Sequence, residues 1–324
     1  VGSPNIAPEP SIMKVLQESI MVPENYKYAI NELPEMKSAI HDWYKNRYNV
    51  ELTYDEMICL QGSQEALSTL FLAMCDPGDI VLVPDPYYPI FSDGPKIAGA
   101  KVEYMPLLQE NNYVIQLDQI DEEIAKKAKM MIVSYPNNPT CAIAPDSFYE
   151  ELIQFAKKYD IVVLHDNAYS ELVFDGKVGK SFLSFEGAKE IGIELNSFSK
   201  TYGMAGARLG VCVGNKEVID CYNTLKSNMD YGIFLPIQYA GIEALRHGGA
   251  SIHSTCQAYQ DRRDALCEAF DEVGWHINKS PATMFAWARI PDQYEDSYAF
   301  TKDLMEKTGV VVTPGQAFGV HGTR

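Results

Sequence analysis

Residues 197–210 of the chain read Ser197-Phe198-Ser199-Lys200-Thr201-Tyr202-Gly203-Met204-Ala205-Gly206-Ala207-Arg208-Leu209-Gly210. One lysine, Lys200, stands in a run of small and hydroxyl-bearing residues, and one arginine, Arg208, follows eight positions later. Most of the intervening residues are apolar or uncharged, which is not the composition of a solvated surface helix. Gly203 and Gly206 interrupt any simple helix. The stretch therefore predicts a loop that carries a partly desolvated lysine.

The chemistry expected of Lys200 follows from that setting. A lysine that is partly desolvated beside another cation has a lowered pKa, so its amine can attack carbonyl groups. Arg208 is the candidate second cation, and with Ser197 and Ser199 it would suit a phosphate group. A Schiff-base lysine next to a phosphate site indicates pyridoxal 5′-phosphate (PLP) as the cofactor. The alternative is a loop with an incidental lysine and arginine, and the rest of the sequence separates the two interpretations.

The composition limits the class of protein. The chain has 324 residues, of which 46% are hydrophobic, which is enough for a sizeable core and argues against disorder. The formal net charge of −17 makes a nucleic acid or an anionic membrane surface an unexpected partner. An anionic cofactor in such an acidic chain needs a local positive pocket, so Lys200 and Arg208 become more informative.

The cysteines and histidines favour a cytoplasmic protein without a metal site. The seven cysteines form no Cys-x-x-Cys pair and lie mostly in apolar runs, as expected for free buried thiols in a reducing compartment. The six histidines show no metal-ligand spacing. No apolar run reaches transmembrane length, and no signal peptide is visible. We also expect the natural protein to extend beyond both ends of this sequence.

Apolar strands alternate with helices through most of the chain. This alternation indicates an α/β fold whose mostly parallel sheet is covered by helices on both faces. We predict a large domain over residues 33–247, and a smaller α+β domain that combines residues 1–32 with residues 248–324. The predicted strands are Met57–Leu60, Ile80–Pro84, Lys101–Met105, Met130–Ser134, Ile161–His165, Gly192–Leu195 and Leu209–Gly214, with Trp275–Ile277, Met284–Ile290 and Val310–Val312 in the smaller domain. The predicted helices are Ile12–Ile20, Leu33–Tyr48, Ala66–Met74, Leu117–Ala128, Phe148–Tyr159, Val218–Met229, Pro236–Leu245, Ser251–Val273 and Ser297–Thr308.

Polar and aromatic side chains follow the strands at their carboxyl ends. Ligands of open α/β sheets bind in the crevice outside those ends, so we expect these side chains to converge. Gly62-Ser63-Gln64-Glu65 joins a strand to a helix start, where free backbone N–H groups can bind an anion, although most such turns bind nothing. No Gly-x-Gly-x-x-Gly pattern follows a strand, so a dinucleotide is not the favoured ligand. The residues expected at the crevice are Ser63, Tyr88, Asn138, Asp166, Tyr169 and Lys200.

Each of these residue types has a role if the ligand is PLP. Asp166 would hold a proton on the ring nitrogen by ion pairing, which makes the ring an electron sink. The alternative is an aspartate that merely caps the next turn. Tyr169 and Asn138 would set the charge of the ring hydroxyl, and Tyr88 would stack on the ring face. Lys200, released when substrate replaces it, would move a proton between the substrate α-carbon and the cofactor.

Five stretches, in this order, make the sequence similar to a known family. They are Gly62-Ser63-Gln64-Glu65-Ala66, Asp85-Pro86-Tyr87-Tyr88-Pro89, Tyr135-Pro136-Asn137-Asn138-Pro139-Thr140, Asp166-Asn167-Ala168-Tyr169-Ser170-Glu171 and Ser197 through Arg208. The chain resembles the class I/II aminotransferases of PLP fold type I over nearly its whole length. The resemblance implies that Lys200 forms the Schiff base and that Asp166 contacts the ring nitrogen. It also implies Asn138 and Tyr169 on the ring oxygen, Tyr88 on the ring face, and Ser63, Gln64, Ser197 and Arg208 on the phosphate.

The resemblance extends to assembly and to a branch of the family. Members are usually homodimers with active sites at the interface, and a tyrosine of the neighbouring subunit commonly reaches the phosphate. Tyr28, or Tyr26, stands at that place in this sequence. The stretches Glu32–Lys37 and Val310–Gly315 look most like the LL-diaminopimelate and aspartate/alanine branch.

Three features depart from the family pattern. Cys141 stands where the Asn-Pro-Thr motif usually continues with glycine. Ala207 stands where a large aromatic residue often precedes the arginine. The family's C-terminal arginine, which binds the substrate α-carboxylate, is expected beyond Arg324.

The predicted function is transamination between an amino acid and a 2-oxo acid by a ping-pong mechanism. Within the same chemistry, a PLP-dependent carbon–sulfur β-lyase would use the same residues. A PLP-binding module without turnover is a third possibility, against which the acidic charge and the missing helix-turn-helix pattern argue. A nucleotide-binding α/β protein is disfavoured by the absence of glycine-rich fingerprints.

Overall fold

The computed structural model describes residues 2–324 and contains a seven-stranded sheet between two layers of helices. The strands are β1 (Met57–Leu60), β2 (Ile80–Asp85), β3 (Lys101–Pro106), β4 (Ala128–Ser134), β5 (Val162–Asp166), β6 (Gly192–Ser197) and β7 (Gly210–Gly214). The helices are α1 (Pro10–Ile20), α2 (Pro34–Tyr48), α3 (Gln64–Met74), α4 (Ile90–Ile97), α5 (Glu122–Ala125), α6 (Asp146–Tyr159), α7 (Ala188–Ile191), α8 (Phe198–Thr201), α9 (Lys216–Met229), α10 (Leu235–His247), α11 (Gly249–Glu272) and α12 (Ser297–Thr308).

The strand order places one reversed strand inside an otherwise parallel sheet. The order is β1-β7-β6-β5-β4-β2-β3, and β7 runs antiparallel to both of its neighbours, β1 and β6. The other neighbouring pairs are parallel. The carboxyl ends of six strands therefore meet at one edge of the sheet, together with the amino end of β7. The α/β class with a mostly parallel sheet is confirmed, and β3, predicted near an edge, is an edge strand.

Alternate residues along each strand face two separate hydrophobic cores. Met131 and Val133 of β4 pack in one core with α2, α6 and α10, whereas Met130 and Ile132 pack in the other with α3, α4 and α9. Both faces of the sheet are covered, so nearly every residue of its central strands is buried, rather than every second one. This is why uninterrupted apolar runs located the strands in the sequence.

The predicted helix Leu117–Ala128 is mostly wrong. Leu117–Gln119 forms a short 3₁₀ turn, and the helical residues are limited to α5. The Asp121 side chain accepts hydrogen bonds from the amides of Glu123 (2.8 Å) and Ile124 (3.1 Å), so it caps a new helix start in the middle of the predicted one. Since β4 begins at Ala128, only one turn of helix remains.

The three strands predicted after residue 274 are also wrong. Among residues 2–324, the pairing that involves this region is a single bridge between Val173 and Ala282. Thr283 has a positive φ of 70°, which interrupts an extended segment, and Val311 is 74% exposed. A β-branched run becomes a strand only where a neighbouring strand pairs with it, and the described residues provide none for Val310–Val312. The region around α11 and α12 is therefore helical and irregular, without the β part that we predicted.

The N-terminal segment contacts both parts of the chain. Helix α1 packs on α10 and buries Ile12. The residues before α1 lie on the later region instead, where Arg262 donates a hydrogen bond of 2.8 Å to the Asn5 side chain. The predicted division into residues 33–247 and the two flanking segments stays a prediction.

Candidate active site

A cavity of about 470 Å³ opens at the edge where the six carboxyl ends meet. Its volume is in the range of small-molecule sites in proteins. Nine of the ten residues that we predicted for the site line it: Ser63, Gln64, Tyr88, Asn138, Asp166, Tyr169, Ser197, Lys200 and Arg208. A larger hollow of about 1180 Å³ lies between residues 109–118, 140–151 and 276–289 and contains none of them. We therefore take the smaller cavity as the candidate site.

Lys200 lies in the single turn of α8, directly after β6. The half-buried amine donates a hydrogen bond to the carbonyl oxygen of Gly2. Burial lowers the pKa of Lys200, and the positive charge of Arg208 lowers it further. Desolvation and a second cation therefore act together on this amine, which can lose its proton more readily than a surface lysine.

Asp166 is the last residue of β5, and its neighbours in the sheet are Ser134 of β4 and Leu195 of β6. Burial raises the pKa of its carboxyl group to about 6. Among the described residues, the buried Oδ1 atom has no hydrogen-bond partner. A buried acceptor without a donor is costly, and it is complementary to a protonated nitrogen supplied by a ligand.

The opposite end of the cavity has the features of a phosphate site. Ser63 precedes α3, whose first amides have no acceptor within the helix. Gly62 has a φ of 78°, and a Cβ atom there would lie 2.4 Å from Nη2 of Arg208, so only glycine leaves room for the guanidinium. Arg208 Nη1 donates to the carbonyl of Ala205 (3.0 Å). Arg208 reaches this edge because it precedes the reversed strand β7.

Two tyrosines complete the walls of the cavity. The Tyr88 hydroxyl donates to Oε1 of Gln64 (2.8 Å), which links the loop after β2 to the start of α3. Burial raises the pKa of Tyr169 well above its usual value, the charge of Asp166 adds to this, and Asn138 acts in the opposite direction. Tyr169 therefore keeps its proton and can donate a hydrogen bond to a ligand oxygen.

One predicted residue lies elsewhere, and several lining residues, among them Gly2, Ser3 and Phe285, were not predicted. Tyr28 is 77% exposed and packs against Tyr231, with ring centroids 5.0 Å apart, outside the cavity of its own chain. Gly2, Ser3 and Phe285 line the cavity instead. The Phe285 ring packs edge-on against Tyr169 at 5.5 Å. Nothing in their residue types indicates chemistry, so only long-range packing could identify them.

The cavity suits PLP on observations of its own residues. It offers an amine with a lowered pKa, an unpartnered buried carboxylate oxygen and an arginine above a glycine turn. These groups match an aldehyde, a pyridine nitrogen and a phosphate, respectively. Within residues 2–324, no helix has the length and apolar character needed to cross a membrane.

Comparison with known proteins identifies the class. The sequence pattern described as "Aminotransferase class I and II" matches residues 2–324. The chain therefore belongs to the class I and II aminotransferases, and it is a PLP-dependent enzyme of fold type I that transfers an amino group between an amino acid and a 2-oxo acid. Transamination is supported over the β-lyase and the non-catalytic module.

Individual relatives place the chain in one branch of this family. The LL-diaminopimelate aminotransferase of Halothermothrix orenii is 45% identical over 324 residues, which cover 99% of this chain and 83% of the relative. The Aquifex aeolicus protein of the same name is 39% identical over 99% of this chain and 84% of its own. The predicted resemblance to the LL-diaminopimelate branch is confirmed.

Solved structures agree with the fold. The substrate-bound BacF structure from Bacillus subtilis superposes with a TM-score of 0.96 at 38% identity, over 100% of this chain and 83% of that chain. A probable N-succinyldiaminopimelate aminotransferase from Thermus thermophilus gives 0.93 at 31% identity, over 100% and 87%.

Proposed function

We propose that this aminotransferase uses LL-diaminopimelate as its amino donor. The proposal is supported by full-length relatives of that name, which are 39–45% identical to this chain. The observation that carries the catalytic part is the convergence of Lys200, Asp166 and Arg208 on one cavity.

We infer the following roles for the residues of the cavity. Bound PLP supplies an electron sink for the electrons of a broken bond at the substrate α-carbon. Lys200 would hold the cofactor by its amine and, when its amine is free, would take the proton from the substrate α-carbon. Its lowered pKa makes the neutral, basic form of the amine easier to reach than in a surface lysine.

The remaining residues orient the cofactor and hold its charges. Asp166 would keep a proton on the ring nitrogen through its unpartnered carboxylate oxygen. Tyr169 and Asn138 would bind the ring oxygen, and Tyr88 would cover the ring face. Ser63, Gln64, Ser197 and Arg208 would bind the phosphate.

A donor screen tests the proposed substrate. Purified holoenzyme is supplied with LL-diaminopimelate, N-succinyl-LL-diaminopimelate, aspartate or alanine, and the visible band of the cofactor is followed before and after addition of 2-oxoglutarate or pyruvate. We expect kcat/KM for LL-diaminopimelate to exceed that of the other donors by at least about tenfold, or roughly 1.4 kcal/mol of transition-state discrimination.

Lys200→Ala protein is the control without turnover. A faster reaction with another donor would contradict the proposal, and ammonia release without exchange to a 2-oxo acid would indicate a lyase.

We further propose that the protein is a homodimer in the cytoplasm. Two exposed ring pairs, Tyr26 with Phe234 (5.3 Å) and Tyr28 with Tyr231 (5.0 Å), make up what we call the exposed aromatic patch. Met21 is also exposed, at 77%. Exposed aromatic and apolar side chains of this kind are typical of a protein interface, and a second copy of the chain is the proposed occupant. The cytoplasmic location is supported by the cysteines of the described chain, all seven of which are free thiols.

A further inference from the structure

A buried lysine lies beneath the first turn of α3. Lys226 of α9 is only 5% exposed, and its Nζ atom is 2.6 Å from Oε1 of Glu65 and 2.6 Å from Oδ2 of Asp230. Both carboxylates are themselves mostly buried. A lysine is rarely buried to this extent unless it is paired, so the three side chains form one charge cluster.

Glu65 connects this cluster to the phosphate end of the cavity. Its second oxygen, Oε2, accepts a hydrogen bond of 2.6 Å from the amide of Gln61. Gln61 and Gly62 form the turn that leads to Ser63, and Glu65 directly follows Gln64. The Glu65 carboxylate therefore holds the turn beneath the residues proposed to bind phosphate.

The Glu65 carboxylate places negative charge near the proposed position of the cofactor phosphate. Two carboxylates near a phosphate would repel it, and the repulsion is weakly screened where the groups are buried. Lys226 contacts both carboxylates and offsets part of their charge. Asp230 is fixed in turn, since its Oδ1 accepts from the amide of Gly232 (2.8 Å).

We propose that Lys226 is a positioning residue for the cofactor phosphate: it neutralises Glu65, so that Glu65 can hold the Gln61 amide beside an anion without repelling it. Lys226 does not line the cavity and acts through Glu65. The inference rests on the proposed phosphate contacts of Ser63, Gln64, Ser197 and Arg208.

The test compares cofactor binding with and without the phosphate. Lys226→Met keeps most of the apolar stem and removes the charge. We expect its dissociation constant for PLP, titrated onto cofactor-free protein, to rise by about tenfold, because the charge of Glu65 is no longer offset near the proposed phosphate position. The dissociation constant for pyridoxal, which lacks the phosphate, should stay within about twofold. Lys216→Met removes an exposed charge from the same helix and should change neither.

A second substitution separates charge from structure. In Lys226→Met/Glu65→Gln, the amide oxygen at position 65 can still accept from Gln61, and the cluster regains its original net charge because only Asp230 stays charged. PLP affinity should therefore largely recover. Equal loss for PLP and pyridoxal, or no recovery in the double variant, would overturn the proposal. If Lys226→Met does not fold, Glu65→Gln alone decides, because the proposal requires that it bind PLP at least as tightly as the unaltered protein.

PLP binding by Arg208→Ala, measured in parallel, distinguishes a failure of this inference from a failure of the proposed phosphate site. If Arg208→Ala binds PLP normally, the phosphate assignment itself is wrong. If Arg208→Ala weakens PLP binding and Lys226→Met does not, only the role of Lys226 is wrong.

Discussion

At the scale of single residues, the buried carboxyl group of Asp166 suits the proposed cofactor contact but lowers the stability of the cofactor-free protein. Burial raises the pKa of its carboxyl group to about 6, above the 3.8 of an exposed aspartate. The folded protein therefore binds this proton more tightly than the unfolded chain, so the free energy of unfolding falls as pH rises from about 4 to about 6. A ligand that supplies a positive donor to Oδ1 would recover this loss.

Replacement of Asp166 by asparagine should therefore stabilise the cofactor-free protein while it removes activity. We expect Asp166→Asn to raise the free energy of unfolding at pH 7 by about 2–3 kcal/mol, and the gain to shrink towards zero as pH approaches 4. Urea unfolding across this pH range measures it, with the exposed Asp118→Asn as control. Transamination should drop sharply, because the ring nitrogen is no longer held protonated. Full turnover in Asp166→Asn, or a gain that does not depend on pH, would refute this account of the residue.

At the scale of elements, the ends of the strands can be predicted from the sequence, whereas contacts between distant parts of the chain cannot. Asp166 ends β5 and Lys200 lies just beyond the end of β6, so the sequence places them at the same edge as soon as these strands are parallel. Arg208 reaches this edge because β7 runs antiparallel to its neighbours. The apolar sequence of β7 does not indicate the direction in which the strand runs.

The incorrect elements have causes that residue propensity does not capture. Asp121 looks like an ordinary helix residue, yet its side chain caps a new start and shortens the helix to one turn. Phe285 lies in a segment predicted as a strand, and only tertiary packing brings it to Tyr169. Local pattern therefore predicted the catalytic edge well and the later, irregular region poorly.

At the scale of the whole molecule, the proposed dimer connects the exposed aromatic patch of one subunit to the cavity of the other. Tyr28 lies outside the cavity of its own chain, so it can act on a phosphate only from a neighbouring subunit. An interface that includes Tyr28 and Tyr231 would bring each cavity a residue that its own chain does not provide.

Mixing two inactive variants tests this arrangement. Lys200→Ala and Tyr28→Ala proteins are mixed and allowed to exchange subunits. Each mixed dimer has one site with Lys200 from one chain and Tyr28 from the other, so activity should recover to about one quarter of the unaltered level. Tyr26→Ala in place of Tyr28→Ala shows which tyrosine acts. No recovery on mixing, with both parents dimeric, would mean that Tyr28 does not act across the interface.

The amine of Lys200 is proposed to hold the cofactor opposite Asp166. Borohydride reduction fixes PLP covalently to the amine that carries it, and mass spectrometry of the digested holoenzyme then identifies the residue. We predict the adduct on the peptide that contains Lys200, and its loss in Lys200→Ala. An adduct on any other lysine, Lys226 or Lys37 included, would contradict the account.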